Sequence, residues 1–203
     1  MEYLKRATEK FLKLTGDIDV FIDCGVGKIG SEAWTVNRLL PSCKIIGLEP
    51  EHRRYDYLIS NNYPGKLLKL AVAEIDGTVE GFMGHKKGKT DFWLIGGENA
   101  PTGSYIKEEV SCTRLDTFIK ARELQNKKIA VWADIEGSEF IMLKSCGKFL
   151  ESIVGFNLEM FPDNIQEQKS YTRKEVTDYL ESKNYKKYPN TGNDFIFINR
   201  KYQ

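Results

Sequence analysis

The chain has 203 residues, 41% hydrophobic and 12% aromatic, which is enough to bury one core and falls within the usual size of one domain. Lys and Arg number 30 against 29 Asp and Glu, so no global field draws the protein to nucleic acid or an anionic membrane, and a polyanionic partner would need a local patch. The scattered Cys24, Cys43, Cys112 and Cys146 form no CxxC pair and have no His at ligand spacing; they read as buried thiols, with no metal site expected. The first residues mix charges and carry no apolar signal core, and no stretch approaches ~20 apolar residues, so a soluble cytoplasmic protein without membrane contact is expected.

In chain order, Leu4, Ala7, Phe11, Leu12 and Leu14 recur at helical spacing, predicting an amphipathic helix over residues 1–15 that Gly16 and Asp17 end. Val20-Phe-Ile-Asp23 is a short apolar run closing on an acid and a glycine loop, as a buried parallel strand does at a ligand site. A helix over 31–40 is stopped by Pro41, and 44–50 reads as the second strand. Helix 53–60, strand 67–73, helix 115–123, strand 128–134, helix 139–150, strand 153–160 and helix 172–184 continue the alternation. Strands 185–189 and 194–198, joined by Asn190-Thr-Gly-Asn193, then make the sheet mixed. Glycines at 77, 84, 88, 96, 97 and 103 interrupt residues 74–110 too often for a helix; this reads as an insertion, long enough to serve as a lid, within one domain spanning 1–203.

Gly25-Val-Gly27-Lys-Ile-Gly30 follows a predicted strand and opens a predicted helix, so a nucleotide-containing cofactor is the natural ligand. Glu49 ends the next strand roughly 20 residues on, where a carboxylate accepts from ribose hydroxyls. NAD and S-adenosylmethionine both carry that ribose. Asp23, two residues ahead of the first glycine, favours the second, because it would repel a pyrophosphate and attract an ammonium or sulfonium. The plainer alternative is a glycine turn that packs helix on strand, with Asp23 as a helix cap.

Asp23-Cys-Gly-Val-Gly-Lys-Ile-Gly30, Leu48-Glu-Pro50, Thr113-Arg-Leu-Asp116 and Asp134-Ile-Glu-Gly-Ser-Glu139 together resemble the FkbM-type methyltransferases. The resemblance runs from about Val20 to Glu159. It implies an α/β, Rossmann-like class I methyltransferase fold: a mostly parallel seven-stranded sheet with an antiparallel last strand and, here, a loop or hairpin insertion after the third strand. It also implies S-adenosylmethionine as cofactor and methyl transfer to a hydroxyl of a sugar or small metabolite. Asp23, Gly25, Gly27 and Gly30 would cradle the methionine half and Glu49 the ribose; Val72, Ala73 and Glu74 would border the adenine, and Ser104 would close over the cofactor. The loop is one residue longer than the family's usual one and lacks its Asn.

For a hydroxyl acceptor the protein must align the nucleophile and remove a proton. Asp134 and Glu136, following the fourth parallel strand, are the candidate catalytic carboxylates, with Glu139 expected to cap the next helix; the competing reading has all three satisfying amides at that helix start. His85, among Lys86, Lys87 and Lys89, and Glu159, at the end of the fifth strand, are candidate substrate contacts. An NAD-dependent oxidoreductase and a non-catalytic partner-binding subunit are the rival readings. An RNA ribose is also a hydroxyl, but the balanced charge argues against nucleic acid.

Overall fold

The computed structural model describes residues 2–86, 89–94, 105–163 and 171–203. The expected alternation is present: α1 (Glu2–Thr15), β1 (Val20–Cys24), α2 (Ser31–Leu39), β2 (Lys44–Leu48), α3 (His52–Ser60), β3 (Lys66–Leu68), then an insertion, then α4 (Leu115–Ala121), β8 (Ile129–Ala133), α5 (Glu139–Ser145), β9 (Ile153–Glu159), α6 (Arg173–Ser182), β10 (Tyr185–Pro189) and β11 (Asp194–Asn199). Seven strands form one sheet in the order β10-β11-β9-β8-β1-β2-β3. Only β11 runs antiparallel to its neighbours β9 and β10, because the short turn before it lets the chain reverse directly instead of crossing over through a helix. This is the Rossmann-like architecture expected from the sequence.

The parallel strands are buried on both faces, which is why they read as continuous apolar runs. On one face Ile22, Cys24, Leu48, Val131 and Phe156 pack with residues of α4, α5 and α6. On the other, Phe21, Ile45, Trp132 and Val154 pack with Phe11 of α1 and with α2 and α3. Phe11 meets Trp132 edge to face at 5.9 Å. Burying one such aromatic contributes roughly 1.5–3 kcal/mol, so α1 is an integral layer. All four cysteines are buried and free. Among the described residues, no helix is long and apolar enough to cross a membrane.

Three expectations need correction. The strand predicted over 67–73 is two: β3 ends at Leu68, and β4 (Ala71–Val72) leaves the main sheet to pair with β7 (Tyr105–Thr113). Nor is the insertion a loop or single hairpin. β5 (Gly77–Lys86) pairs antiparallel with both β6 (Lys89–Leu94) and β7, giving a second sheet ordered β4-β7-β5-β6. Finally, the helix predicted over 139–150 breaks after Ser145 into a 3-10 helix, Gly147–Ser152. Gly147 has φ +50°, and a Cβ there would lie 2.5 Å from Asp116 Oδ2. The Asp116 carboxylate that fills this space is held by Arg114 through two bonds of 2.9 Å, while Asp76 ties the second sheet to the same corner through Arg114 N and Thr113 Oγ1. The Thr113–Asp116 motif is therefore a structural knot.

Candidate active site

The parallel strands deliver their carboxyl ends to one edge of the sheet, and the order reverses on either side of β1, which pairs with β2 and β8; open α/β sheets bind ligands at such a switch point. Gly25 N–H donates to Leu48 O (2.9 Å) and Asp134 N–H to Cys24 O (3.1 Å), so the three strand ends stay stitched past the last ladder bond. Gly25, at φ +77°, passes so close to the β8 end that a Cβ would lie 2.0 Å from Asp134 O. This contact is the seam between two cavities that share Gly25, Gly27 and Asp134.

The first cavity is lined by Leu48, Pro50, Leu70, Ala71, Val72 and Ile135, with Glu49 and Arg54 as polar partners. Glu49 is fully buried; its Oε2 accepts from Gly27 N (2.8 Å) and its Oε1 from Glu51 N (3.0 Å). Burial pushes its carboxyl up to about 7 against the opposing pull of Arg54. The glycine-loop amide that would face a pyrophosphate in a dinucleotide fold is thus taken up by a carboxylate.

The second cavity, about 380 Å³, is acidic: Asp23, Glu32, Asp134, Glu159 and Asp194 line it, with Lys28 on the loop. Asp23 is buried and accepts from Tyr63 Oη at 3.4 Å. Tyr63 reaches it only because residue 47 is glycine, where a Cβ would fall 2.5 Å from that hydroxyl. Desolvation and then Glu32 raise the Asp23 carboxyl well above the usual range. Asp134 is exposed at the cavity, yet the protein atoms crowded around its carboxylate, and then Glu159 hydrogen-bonded beside it, raise it well above the usual range. Asp194, held by Asn157 Nδ2 at 2.8 Å, is pushed up by burial to about 7.

The sequence matches the methyltransferase FkbM domain over residues 23–187. The chain belongs to the FkbM methyltransferase family. No curated protein matches the chain as a relative. Among solved structures, a human methyltransferase 10 domain containing protein is similar at 9% identity and TM-score 0.51, covering 97% of this chain and 81% of that one. The N-terminal domain of EvdMO1, crystallised in the presence of SAH and D-fucose, is similar at 10% identity and TM-score 0.52, with 98% and 84% covered. At these identities the likeness shows the fold. Family membership makes this an S-adenosylmethionine-dependent methyltransferase, and the residues fit that cofactor: an apolar slot beside Glu49 suits a nucleoside, and a carboxylate-rich cavity across the Gly25 seam suits an ammonium and a sulfonium.

The FkbM chain brings together Asp23, Gly25, Gly27, Gly30, Glu49, Val72, Asp134, Glu136 and Glu159 as cavity lining. Ala73 turns instead into the core of the second sheet beside Met83 and Val110. Glu74 is exposed, and its carbonyl accepts from Arg114 Nη1. Ser104 lies outside the described residues; so does the side chain of His85, whose backbone is in β5. Asp23 caps no helix, since Gly30 is the N-cap of α2. Glu139 does not cap α5, which starts after Ser138; it accepts from Ile135 N and Gly137 N within the preceding loop. Glu32, Tyr63, Trp132 and Asp194 are not legible as site residues in the sequence, although an acid opening the antiparallel last strand, which starts at the ligand edge opposite Glu159, could have signalled Asp194.

Glu51, His52 and Glu108 also bring ligand atoms within 4.8 Å of one another. Glu51 caps α3 by accepting from Arg53 N and Arg54 N, and His52 Nδ1 stands 3.2 Å from Glu108 of β7. With Lys69 4.0 Å from Glu108 and the positive end of α3 beside it, the cluster suits a clasp between the second sheet and α3 better than a cation site.

Proposed function

We propose that the chain methylates a hydroxyl of a sugar or other small metabolite, with Asp134 as the general base and Glu136 beside it holding the acceptor. The observation that carries this reading is the position of Asp134: it opens onto the acidic cavity, lines the nucleoside slot as well, and is a strong base for a carboxylate because of the protein atoms crowded around it and Glu159. S-adenosylmethionine supplies a methyl carbon bonded to a positive sulfur. Asp134 takes the acceptor's hydroxyl proton as the oxygen bonds to that methyl; the S–CH₃ bond breaks and its electron pair stays on sulfur as a neutral thioether. A positive charge in the cavity favours the ionised form of Asp134, which is the form a base needs.

Glu136 sits in the left-handed region at φ +52°, a conformation that costs a non-glycine residue about 1–2 kcal/mol. The loop from Asp134 to Ser138 holds it there, which accords with a side chain aimed for function. The test is methyl transfer to a panel of monosaccharides and hydroxylated metabolites by the native chain, D134N and E136Q, with S-adenosylhomocysteine binding as the folding control. Loss of general-base catalysis lowers turnover by about 10²–10⁴, and near-normal turnover in both variants with binding intact would sink the assignment.

A further inference from the structure

Glu139 is fully buried at the start of α5, and its carboxylate reaches back to the loop that precedes the helix. Oε1 accepts from Ile135 N at 3.1 Å and Gly137 N at 3.3 Å. The segment so gathered carries Glu136 at φ +52° and Gly137 at φ +94°, and Ile135 packs against Gly25, its Cγ2 3.0 Å from where a Cβ would stand. One carboxylate oxygen therefore sets the conformation of the loop between Asp134 and Ser138 and its fit against the glycine loop. The other oxygen, Oε2, accepts from the hydroxyl of Tyr171.

Tyr171 is itself held on two sides. It precedes Thr172, whose reciprocal bonds with Glu175 form the capping box of α6, so its backbone is fixed at the entry to that helix. Its ring meets Phe140 of α5 edge to face at 6.1 Å, and Phe140 in turn meets Tyr179 of α6 at 5.4 Å. A hydroxyl on a buried, clamped ring is a fixed donor, and a donor to a carboxylate makes a charge-assisted bond about twice as strong as a neutral one.

We propose that Tyr171 is a positioning residue for methyl transfer: its hydroxyl orients Glu139, and Glu139 holds the Asp134–Ser138 loop in register with the glycine loop at the meeting of the two cavities. The inference rests on the reading of Asp134 and Glu136 as acceptor-facing carboxylates. It adds a residue from outside the lining of the two cavities, at the entry to α6. The charged groups near the pair are Asp134 on the same loop, Glu159 from β9 and Arg173 of α6. Burial pushes Glu139 up to about 7 while Tyr171 pulls it down, so removing the hydroxyl drives the carboxyl further up.

The experiment is Tyr171→Phe, which keeps the ring on Phe140, alongside E139Q. Two quantities are measured: the dissociation constant of S-adenosylhomocysteine at pH 7, and the pH titration of the Gly137 amide in nitrogen-15 correlation spectra. In Y171F, affinity is expected to fall on the order of tenfold, the loss of about one hydrogen bond to a charged group, and the Gly137 amide to titrate at higher pH than in the native chain. In E139Q that titration is expected to vanish. Unchanged affinity together with an unchanged Gly137 titration in Y171F overturns the proposal, as does a fall in melting temperature alone. If Y171F does not fold, E139Q decides: lowered affinity with the titration gone supports the tether, and unchanged affinity overturns it. Neither readout uses an acceptor, so failure of the base assignment, seen only in turnover of D134N and E136Q, remains distinguishable.

Discussion

Replacing Gly25 with alanine tests the seam directly, and Gly27 provides its control. Both residues have left-handed backbone, φ +77° and +68°, so either alanine costs about 1–2 kcal/mol for that conformation alone. At Gly27 the new methyl meets nothing within 4 Å; at Gly25 it would lie 2.0 Å from Asp134 O and 2.9 Å from Asp134 C. Those are backbone atoms, fixed by Asp134 N to Cys24 O and by Gly25 N to Leu48 O, so no side chain can rotate away. The β1 and β8 ends must part, which adds about 1–3 kcal/mol of overpacking and about 1 kcal/mol for a weakened bond. G25A is therefore expected to lose roughly 3–6 kcal/mol and G27A roughly 1–2 kcal/mol. Urea unfolding of the cofactor-free proteins at one pH, with the slopes compared, measures the difference. If the two variants agree within about 0.5 kcal/mol, a common level for surface changes, the close approach of β1 to β8 is not what the structure says it is.

The pH dependence of stability has a definite sign. Glu49, Glu139 and Asp194 are each pushed up to about 7 by burial, so the folded state binds more protons than the unfolded chain above the ordinary carboxylate range; stability is full below about pH 4 and is lost as pH rises through 7. The unfolding free energy from urea titration should fall between pH 5 and 8, by up to about 3 kcal/mol for one such group; Asp76, Asp116 and Glu175, which are shifted down, act only at lower pH, and a flat or rising profile would contradict the burial argument. E49Q should leave the fold as stable or more stable at pH 8, because a buried charge is gone, yet lower S-adenosylhomocysteine affinity about tenfold or more; isothermal calorimetry that finds equal affinity would remove Glu49 from the cofactor site.

The strands β1, β2, β8 and β9 are legible because burial on both faces writes them as apolar runs, and the acids that follow them mark the ligand edge: Asp23, Glu49, Asp134 and Glu159 are all found there. What the sequence conceals is set by contacts distant along the chain. Tyr63 reaches Asp23 across 40 positions and Tyr171 reaches Glu139 across 32; nothing local to either tyrosine distinguishes it from a core aromatic. The second sheet is hidden for a different reason. Its strands carry Gly77, Gly81 and Gly84, and glycine weakens the alternation by which a half-buried strand is recognised. Gly147 inside an apolar helical pattern was a visible warning of a break, but its cause, the Asp116 carboxylate, comes from another helix.

The acids of the second cavity also explain why stability and function pull apart in this fold. Asp23, Glu32, Asp134, Glu159 and Asp194 face one space of about 380 Å³ with Lys28, and desolvation first, with neighbouring acids adding to it at Asp23, Asp134 and Asp194, raises the proton affinity of Asp23, Glu32, Asp134 and Asp194 instead of stabilising the protein. Hydrophobic residues there would cost the empty protein nothing. The arrangement makes sense for a guest that brings positive charge, and S-adenosylmethionine brings it on both its amino group and its sulfur. Methyl transfer leaves the sulfur neutral, so the cavity loses part of its attraction for the ligand once the reaction is over. A site that is electrostatically costly when empty would bind the charged donor in preference to the spent one, and S-adenosylmethionine binding no tighter than S-adenosylhomocysteine in calorimetry would refute that argument.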